Sequence, residues 1–155
     1  MNKKITFVCT GNYYRSRFAE AYFNYVSDIL SLGFVADSSG LAIHLADELA
    51  EEYGEISPDS RSELEKFGIP EKYYERNRKS LTAEEIESSD YLIAMDEEEH
   101  VDMVKERFPE YKKRFSYLKI KDIFDWKPEK TLSEIQKEVE AILNKIVETG
   151  DLVIK

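Results

Sequence analysis

The sequence predicts an α/β fold: a three-layer sandwich of helices around a four-stranded parallel sheet. Three observations carry that expectation. Short apolar runs alternate with amphipathic stretches, and the intervals between runs are long enough for crossover connections. Gly and Pro are sparse, six and four in 155 residues, and no linker, repeat or low-complexity tract divides the chain. The composition, 42% hydrophobic and 35% charged, suits a chain that buries one core, so residues 1–155 are read as a single domain.

The elements follow in order. Ile5-Thr6-Phe7-Val8 reads as a buried strand ending at Cys9. From Ser16 the pattern becomes helical, with Phe18, Tyr22, Tyr25 and Ile29 on one face and Gly33 as a stop. Phe34 to Asp37 reads as the second strand. Ser57-Pro58 matches an N-cap followed by proline at the first helical position, with Gly68 as the stop. Thr82 with Glu85, and Thr131 with Glu134, have capping-box spacing. Tyr91 to Met95 reads as the third strand, Glu97 to Phe108 as a helix ended by Pro109, and Phe115 to Ile120 as the fourth strand. Leu132, Ile135, Val139, Ile142 and Ile146 mark a long amphipathic helix.

Charge and cysteine content exclude several functions. The net charge of −10 opposes general capture of nucleic acid or anionic membranes, so an anionic ligand requires a local positive site. The longest apolar runs are too short to span a membrane, and the N-terminal one is too short for a secretory signal. The single cysteine excludes an internal disulfide, and with only two histidines it excludes a Cys/His zinc site. A reducing cytoplasm is the expected compartment.

In such folds ligands gather where strands end, beside a topological switch point. The residues after the first strand are Cys9-Thr10-Gly11-Asn12-Tyr13-Tyr14-Arg15-Ser16. A loop from a strand to a helix N-terminus can turn backbone N–H groups inward as an anion nest. Gly11 and Asn12 readily accept the left-handed angles such a loop needs. Arg15 can offer a bidentate fork to phosphate oxygens. A positive cradle favours the thiolate form of a cysteine at its base, and Ser16 can donate a hydrogen bond to that sulfur. Thr10, Gly11, Asn12, Tyr13, Tyr14 and Ser16 are therefore the expected substrate-binding residues, with Cys9 and Arg15 as catalytic ones. The plain alternative is a buried structural cysteine.

Val8-Cys9-Thr10-Gly11-Asn12, Arg15-Ser16 and the following helix resemble the phosphate loop of low-molecular-weight protein-tyrosine phosphatases. Asp37-Ser38-Ser39-Gly40 resembles the family's turn after strand two. Arg78 to Thr82 through Asp90 to Asp96 resembles its stretch leading into strand three. The resemblance spans essentially the whole chain and implies a flavodoxin-like sheet in the order 2-1-3-4. It implies hydrolysis of protein phosphotyrosine, and of small aryl phosphates, through a cysteinyl-phosphate. It also implies a network in which Asn12 and Ser38 support the loop. The departures are specific. Tyr14 stands where the family usually has a second cysteine, Arg17 where it has proline, and Glu75 is nearest in register to a supporting histidine. The acid loop reads Asp122-Ile123-Phe124-Asp125-Trp126, without the family's proline and tandem tyrosines.

Asp122 and Asp125 are the candidate general acids. Asp122 is preferred because it follows the fourth strand directly and takes the family's position. Tyr13, Phe124 and Trp126 could sandwich an aryl ring, although the latter two could equally pack on the core. Tyr13 also stands where relatives that hydrolyse phosphoarginine carry a small threonine, and its bulk argues against that substrate. Asp96 could orient Arg15, line the site mouth or cap a helix. His44 and His100 are read as surface residues, Glu97-Glu98-Glu99 as a solvated helix start, and Tyr73 and Tyr74 as exposed. No cofactor or metal is expected, because the nest and Arg15 supply the positive charge. The expected partner is a phosphotyrosine protein, with the chain a monomer or weak dimer. Two rivals remain at this level: a non-catalytic phosphate-binding module, and an arsenate reductase, which needs further cysteines or a small-molecule thiol to close its cycle. A flavodoxin-like electron carrier fails on the loop, because it needs no cysteine–arginine pair.

Overall fold

The computed structural model describes residues 2–152, so the ends of the expected domain, residue 1 and residues 153–155, lie outside the described residues. It contains four parallel strands, β1 (Lys3–Cys9), β2 (Phe34–Gly40), β3 (Tyr91–Ala94) and β4 (Phe115–Tyr117). Their order is β2-β1-β3-β4, as expected. β1 is central, paired along its length with β2, from Lys3 opposite Phe34 to Cys9 opposite Gly40. Ile5 to Val8 pair with β3 on the other side. The chain leaves β1 first for one neighbour and later for the other, which makes the carboxyl end of β1 the switch point.

Alternation along β1 sorts its side chains between two layers. Ile5, Phe7 and Cys9 face α1 (Arg15–Leu30) and α6 (Pro128–Thr149). Val8, with Leu92 and Ala94 of β3, faces α4 (Ala83–Ser88) and α5 (Glu97–Arg107) through Ile86 and Val104. The short α2 (Asp47–Tyr53) and α3 (Pro58–Lys66) lie between β2 and α4 in the chain. Among the described residues no helix is long and apolar enough to cross a membrane.

Most predicted elements are present, with local corrections. The five apolar positions of α6 are all buried. Ser57 caps α3 by accepting from the Asp59 N–H at 3.2 Å, with Pro58 next. Along α1, Phe18 is buried and Tyr22 and Tyr25 are half-buried, but Ile29 is 63% exposed. The side of α1 toward β2 is occupied by smaller groups, among them Ser27, which donates to the Phe34 carbonyl at 2.8 Å. The aromatic stripe meets neighbouring helices instead: Tyr22 donates to Glu140 of α6 at 2.9 Å. Ile29 lies outside the buried part of the helix.

Other corrections concern helix and strand ends. Thr131 is inside α6, because Pro128 starts that helix, and its hydroxyl donates to the Lys121 carbonyl at 3.1 Å. Thr82 does cap α4 through the Glu85 N–H, but the Glu85 carboxylate turns to Ser39 and Lys79. β4 ends at Tyr117; beyond it the Leu118 and Ile120 N–H groups still donate to the Ala94 and Met95 carbonyls at 2.9 Å, with Lys119 bridging to Asp96. Tyr74 is buried, and the Tyr73 hydroxyl donates to Asp28 at 2.7 Å, so the two form no exposed pair.

Two sequence features fix α1 and β2 against the loop between β1 and α1. Arg17, where the resembled family carries proline, is 1% exposed. Its guanidinium donates to the carbonyls of Glu55 (2.8 Å), Tyr74 (3.2 Å) and Arg76 (2.5 Å). Burial, followed by the neighbouring Arg76 charge, lowers its pKa to about 10, still protonated at neutral pH. Gly40 ends β2 where the backbone comes too close for a side chain. A Cβ there would sit 2.6 Å from the Ile43 side chain, 2.7 Å from the Thr10 carbonyl oxygen and 3.1 Å from the Asn12 nitrogen.

Both features yield measurable expectations. Arg17→Met strands buried carbonyls and should cost about 3 kcal/mol or more, lowering the thermal midpoint by roughly 6–12 °C; a shift within about 2 °C contradicts the role given to Arg17. Gly40→Ala should cost about 1–3 kcal/mol by overpacking and should displace the Thr10–Asn12 backbone, which amide exchange of that segment would report. Unchanged exchange and stability would contradict the close approach.

Candidate active site

The loop from Cys9 to Ser16 is shaped by its carbonyls, which are tied outward. The Cys9 carbonyl accepts from Leu41 N–H and the Thr10 carbonyl from Ala42 N–H, both at 2.9 Å. The Gly11 carbonyl accepts from Arg78 Nη1 at 3.2 Å. The Tyr13 carbonyl accepts from Ser57 N–H at 2.8 Å, and that of Tyr14 from Phe18 N–H and the Ser60 hydroxyl. With its oxygens held by the surrounding protein, the loop turns its N–H groups toward its own centre. Among the described residues the N–H groups of Gly11 to Arg15 have no protein acceptor.

Asn12 is the pivot of this shape. Its backbone is left-handed, with φ of 49°, as the sequence suggests. Its buried amide is saturated. Nδ2 donates to Ser16 Oγ and Ser38 Oγ, both at 2.9 Å. Oδ1 accepts from Lys79 N–H at 3.0 Å and lies 3.4 Å from Arg76 Nη1. Ser16 Oγ thus receives an N–H from Asn12, which leaves its own proton for Cys9 Sγ, 2.9 Å away. Gly11 differs from expectation. It is not left-handed; its hydrogen is needed because a Cβ would meet that of Ala46 at 2.7 Å.

Beneath Asn12 lies a charged floor. Ser38 Oγ donates to Glu20 Oε1 at 2.6 Å, and Arg76 Nη2 reaches Glu20 and Ser38 Oγ at 2.6 Å each. Arg76, not the exposed Glu75, takes the supporting position on Asn12. Arg78 clamps the outer side, donating to the Ile43 carbonyl at 2.8 Å and pairing with Asp47 at 2.8 Å. Sequence reading reached Asn12 and Ser38 but not Glu20 or Arg76. An acidic residue four after Ser16 on a helix face, opposite an arginine, gives no local signal of partnership.

The guanidinium of Arg15 is 2% exposed at the side-chain level. Nη1 donates to the Ile120 carbonyl at 2.9 Å, and Nη2 donates to Glu99 Oε2 at 2.7 Å and lies 3.4 Å from Asp122 Oδ2. Glu99 is therefore not part of a solvated helix start. Burial opposes its ionisation, but hydrogen bonds from His100 and Arg15, with the Arg15 charge, hold its pKa far below the usual carboxylate range. His100 is fully buried rather than superficial: it belongs to the inner face of α5, where Asp96 N–H donates to its Nδ1 at 3.1 Å. The Asp96 carboxylate neither caps α5 nor touches Arg15; it accepts from Lys121 Nζ at 3.1 Å. His44 is exposed, as expected.

Above the loop opens a cavity of about 540 Å³. Cys9, Thr10, Gly11, Tyr13, Tyr14 and Arg15 form its floor. Leu45, Leu49 and Tyr53, with Ile123 and Phe124, form its apolar walls, and Asp122 and Asp59 are its carboxylates. Tyr14 fills the place of the family's second cysteine; among the described residues its buried hydroxyl has no hydrogen-bond partner, and burial drives its pKa up to about 12. Phe124 is 92% exposed at the mouth. Trp126 packs instead against the core, under the Lys130 ammonium at 4.2 Å from the ring centroid, and does not line the cavity. Asp122 reaches the site, with Oδ1 accepting from Ile123 N–H at 2.7 Å. Asp125 is exposed and does not line it.

Proteins of known structure share this fold. No curated protein matches in sequence. The chain is similar in structure to a low molecular weight protein tyrosine phosphatase from T. tengcongensis, with TM-score 0.74 and 24% identity over 93% of this chain and 99% of that one. It is similar to YfkJ from Bacillus subtilis, with TM-score 0.78 and 19% identity over 97% and 98% of the two chains. A YwlE arginine phosphatase mutant, the protein being from Bacillus subtilis, has a phosphorylated active site serine and matches with TM-score 0.74 and 21% identity over 94% and 97%. At these identities the structures share the fold. The family model for low molecular weight phosphotyrosine protein phosphatases matches residues 4–149, and the chain belongs to that family of enzymes.

Proposed function

We propose that the protein hydrolyses phosphotyrosine in protein substrates through a cysteinyl-phosphate on Cys9. One observation carries the reading. The Cys9 sulfur lies at the floor of a loop whose carbonyls are bound outward, with Arg15 and Asp122 converging on the same opening at 3.4 Å.

In the first step the Cys9 sulfur forms a bond to phosphorus as the bond to the phenolic oxygen breaks. Asp122, protonated, gives that oxygen its proton, so the product leaves as tyrosine rather than as a phenolate. The loop N–H groups and Arg15 bind the equatorial oxygens, whose charge shifts in the transition state. In the second step the Asp122 carboxylate takes a proton from water, which attacks phosphorus and releases phosphate. The Ser16 hydroxyl, aimed at Sγ by Asn12, stabilises the sulfur anion as it departs. The proposed chemistry draws its positive charge from the protein itself.

The cavity favours an aryl ester. Its walls are Leu45, Leu49, Tyr53, Ile123 and Phe124, and an aromatic ring between them gains on the order of 1 kcal/mol from ring contacts beyond its area burial. Tyr13 on the floor narrows the loop where the resembled phosphoarginine hydrolases carry threonine.

Three measurements check this reading. Cys9→Ser should reduce p-nitrophenyl phosphate turnover to background. Asp122→Asn should lower kcat for phosphotyrosine by on the order of a hundredfold or more, and much less for the better p-nitrophenolate leaving group. Asp125→Asn should leave both within about threefold; the reverse order of the two aspartates contradicts the assignment. Wild-type kcat/KM should rank a phosphotyrosyl peptide above phosphoseryl and phosphoarginyl peptides of the same sequence. Equal or faster hydrolysis of phosphoarginine would contradict the substrate class while leaving the chemistry of Cys9 intact.

A further inference from the structure

We propose that Glu99 is a positioning residue for this phosphatase reaction: it fixes the plane of the Arg15 guanidinium and ties it to the opposite end of the phosphate loop. The inference rests on the function proposed above. Its basis is a single carboxylate oxygen with three partners. Glu99 Oε2 accepts from Arg15 Nη2 at 2.7 Å and from the Thr10 hydroxyl, and lies 3.1 Å from His100 Nε2. Thr10 and Arg15 are the second and seventh residues of the Cys9 to Ser16 segment, so one group spans the loop.

His100 holds that carboxylate in place. Its Nδ1 accepts the Asp96 N–H at 3.1 Å, so this hydrogen bond assigns the ring proton to Nε2, the nitrogen facing Glu99 and Thr10. The ring is fully buried and has no room to swing. On the far side of Arg15 the Ile120 carbonyl accepts from Nη1 at 2.9 Å. Two fixed acceptors on different nitrogens determine the orientation of a planar group.

Electrostatics sharpens the point. A carboxylate beside an arginine that must bind a phosphoryl dianion repels that dianion, so it weakens ground-state binding. Glu99 does not line the cavity and cannot touch substrate there. Its effect on catalysis therefore runs through the orientation of Arg15, which avoids reorganisation when the transition state forms.

The test compares wild type with Glu99→Gln and Glu99→Ala, using p-nitrophenyl phosphate kinetics, inhibition by inorganic phosphate and thermal midpoints. Glutamine keeps an acceptor for Arg15 and removes the charge. It should hold kcat within about threefold of wild type and bind inorganic phosphate about threefold or more tightly. Alanine removes the acceptor and should lower kcat about tenfold or more with KM changed less than about threefold. An alanine variant within about twofold of wild type in kcat overturns the proposal. So does a parallel loss of kcat and thermal midpoint in both variants, or failure of the alanine variant to fold, because the carboxylate would then support the chain and not the guanidinium. Absence of wild-type turnover would instead count against the phosphatase assignment of this site, which separates the two failures.

Discussion

The structure depends on one constraint: the backbone between Cys9 and Ser16 must present its N–H groups inward. An unpaired buried carbonyl is costly, so each loop oxygen needs an outside donor, and the fold supplies them from several elements. Leu41 and Ala42 come from the turn after β2, Ser57 from the cap of α3, and Arg78 from the segment before α4. Asn12 then locks the left-handed turn with an amide whose bonding capacity is filled. Local strain is thus carried by distant parts of the chain, which explains why a loop of eight residues needs a whole domain around it.

The same arrangement reconciles an acidic protein with an anionic ligand. The net charge is −10, yet the loop concentrates N–H dipoles and a guanidinium at one point. The nearby arginines are each consumed by structure. Arg17 binds backbone carbonyls, Arg76 pairs with Glu20 beneath Asn12, and Arg78 pairs with Asp47 and Glu55. The family's usual supporting histidine is replaced by an ion pair, and its proline by a buried cation. Both substitutions serve one end, holding the loop from below, by charge-assisted hydrogen bonds rather than by ring packing.

Sequence reading recovered what is local. Strand β1, the caps at Ser57 and Thr82, the apolar face of α6 and the spacing of Cys9, Arg15 and Ser16 are all written within a few residues. It missed what depends on tertiary approach. Glu99 and His100 sit in a run of acids at a helix start, which by pattern alone is solvated; only the return of α5 beside the loop brings them to Arg15 and Thr10. For Trp126 the sequence leaves cavity wall and core equally open; the turn that closes on the Asp122 carbonyl decides between them by carrying it to the core. Gly11 suits a left-handed backbone by residue type, whereas contact with Ala46 is what requires it. In each case the residue type was informative and its partner was not.

The central claim is that the sulfur of Cys9, held by Ser16 and Asn12 at the base of the loop, becomes bonded to the phosphoryl group during turnover. Rapid acid quenching of the enzyme with an aryl phosphate, followed by peptide mass spectrometry, tests it most directly. The account predicts one phosphoryl group on the peptide containing Cys9, at a level that rises and decays with turnover. Steady hydrolysis with no phosphoryl group on Cys9, or with the group on another residue, would contradict it.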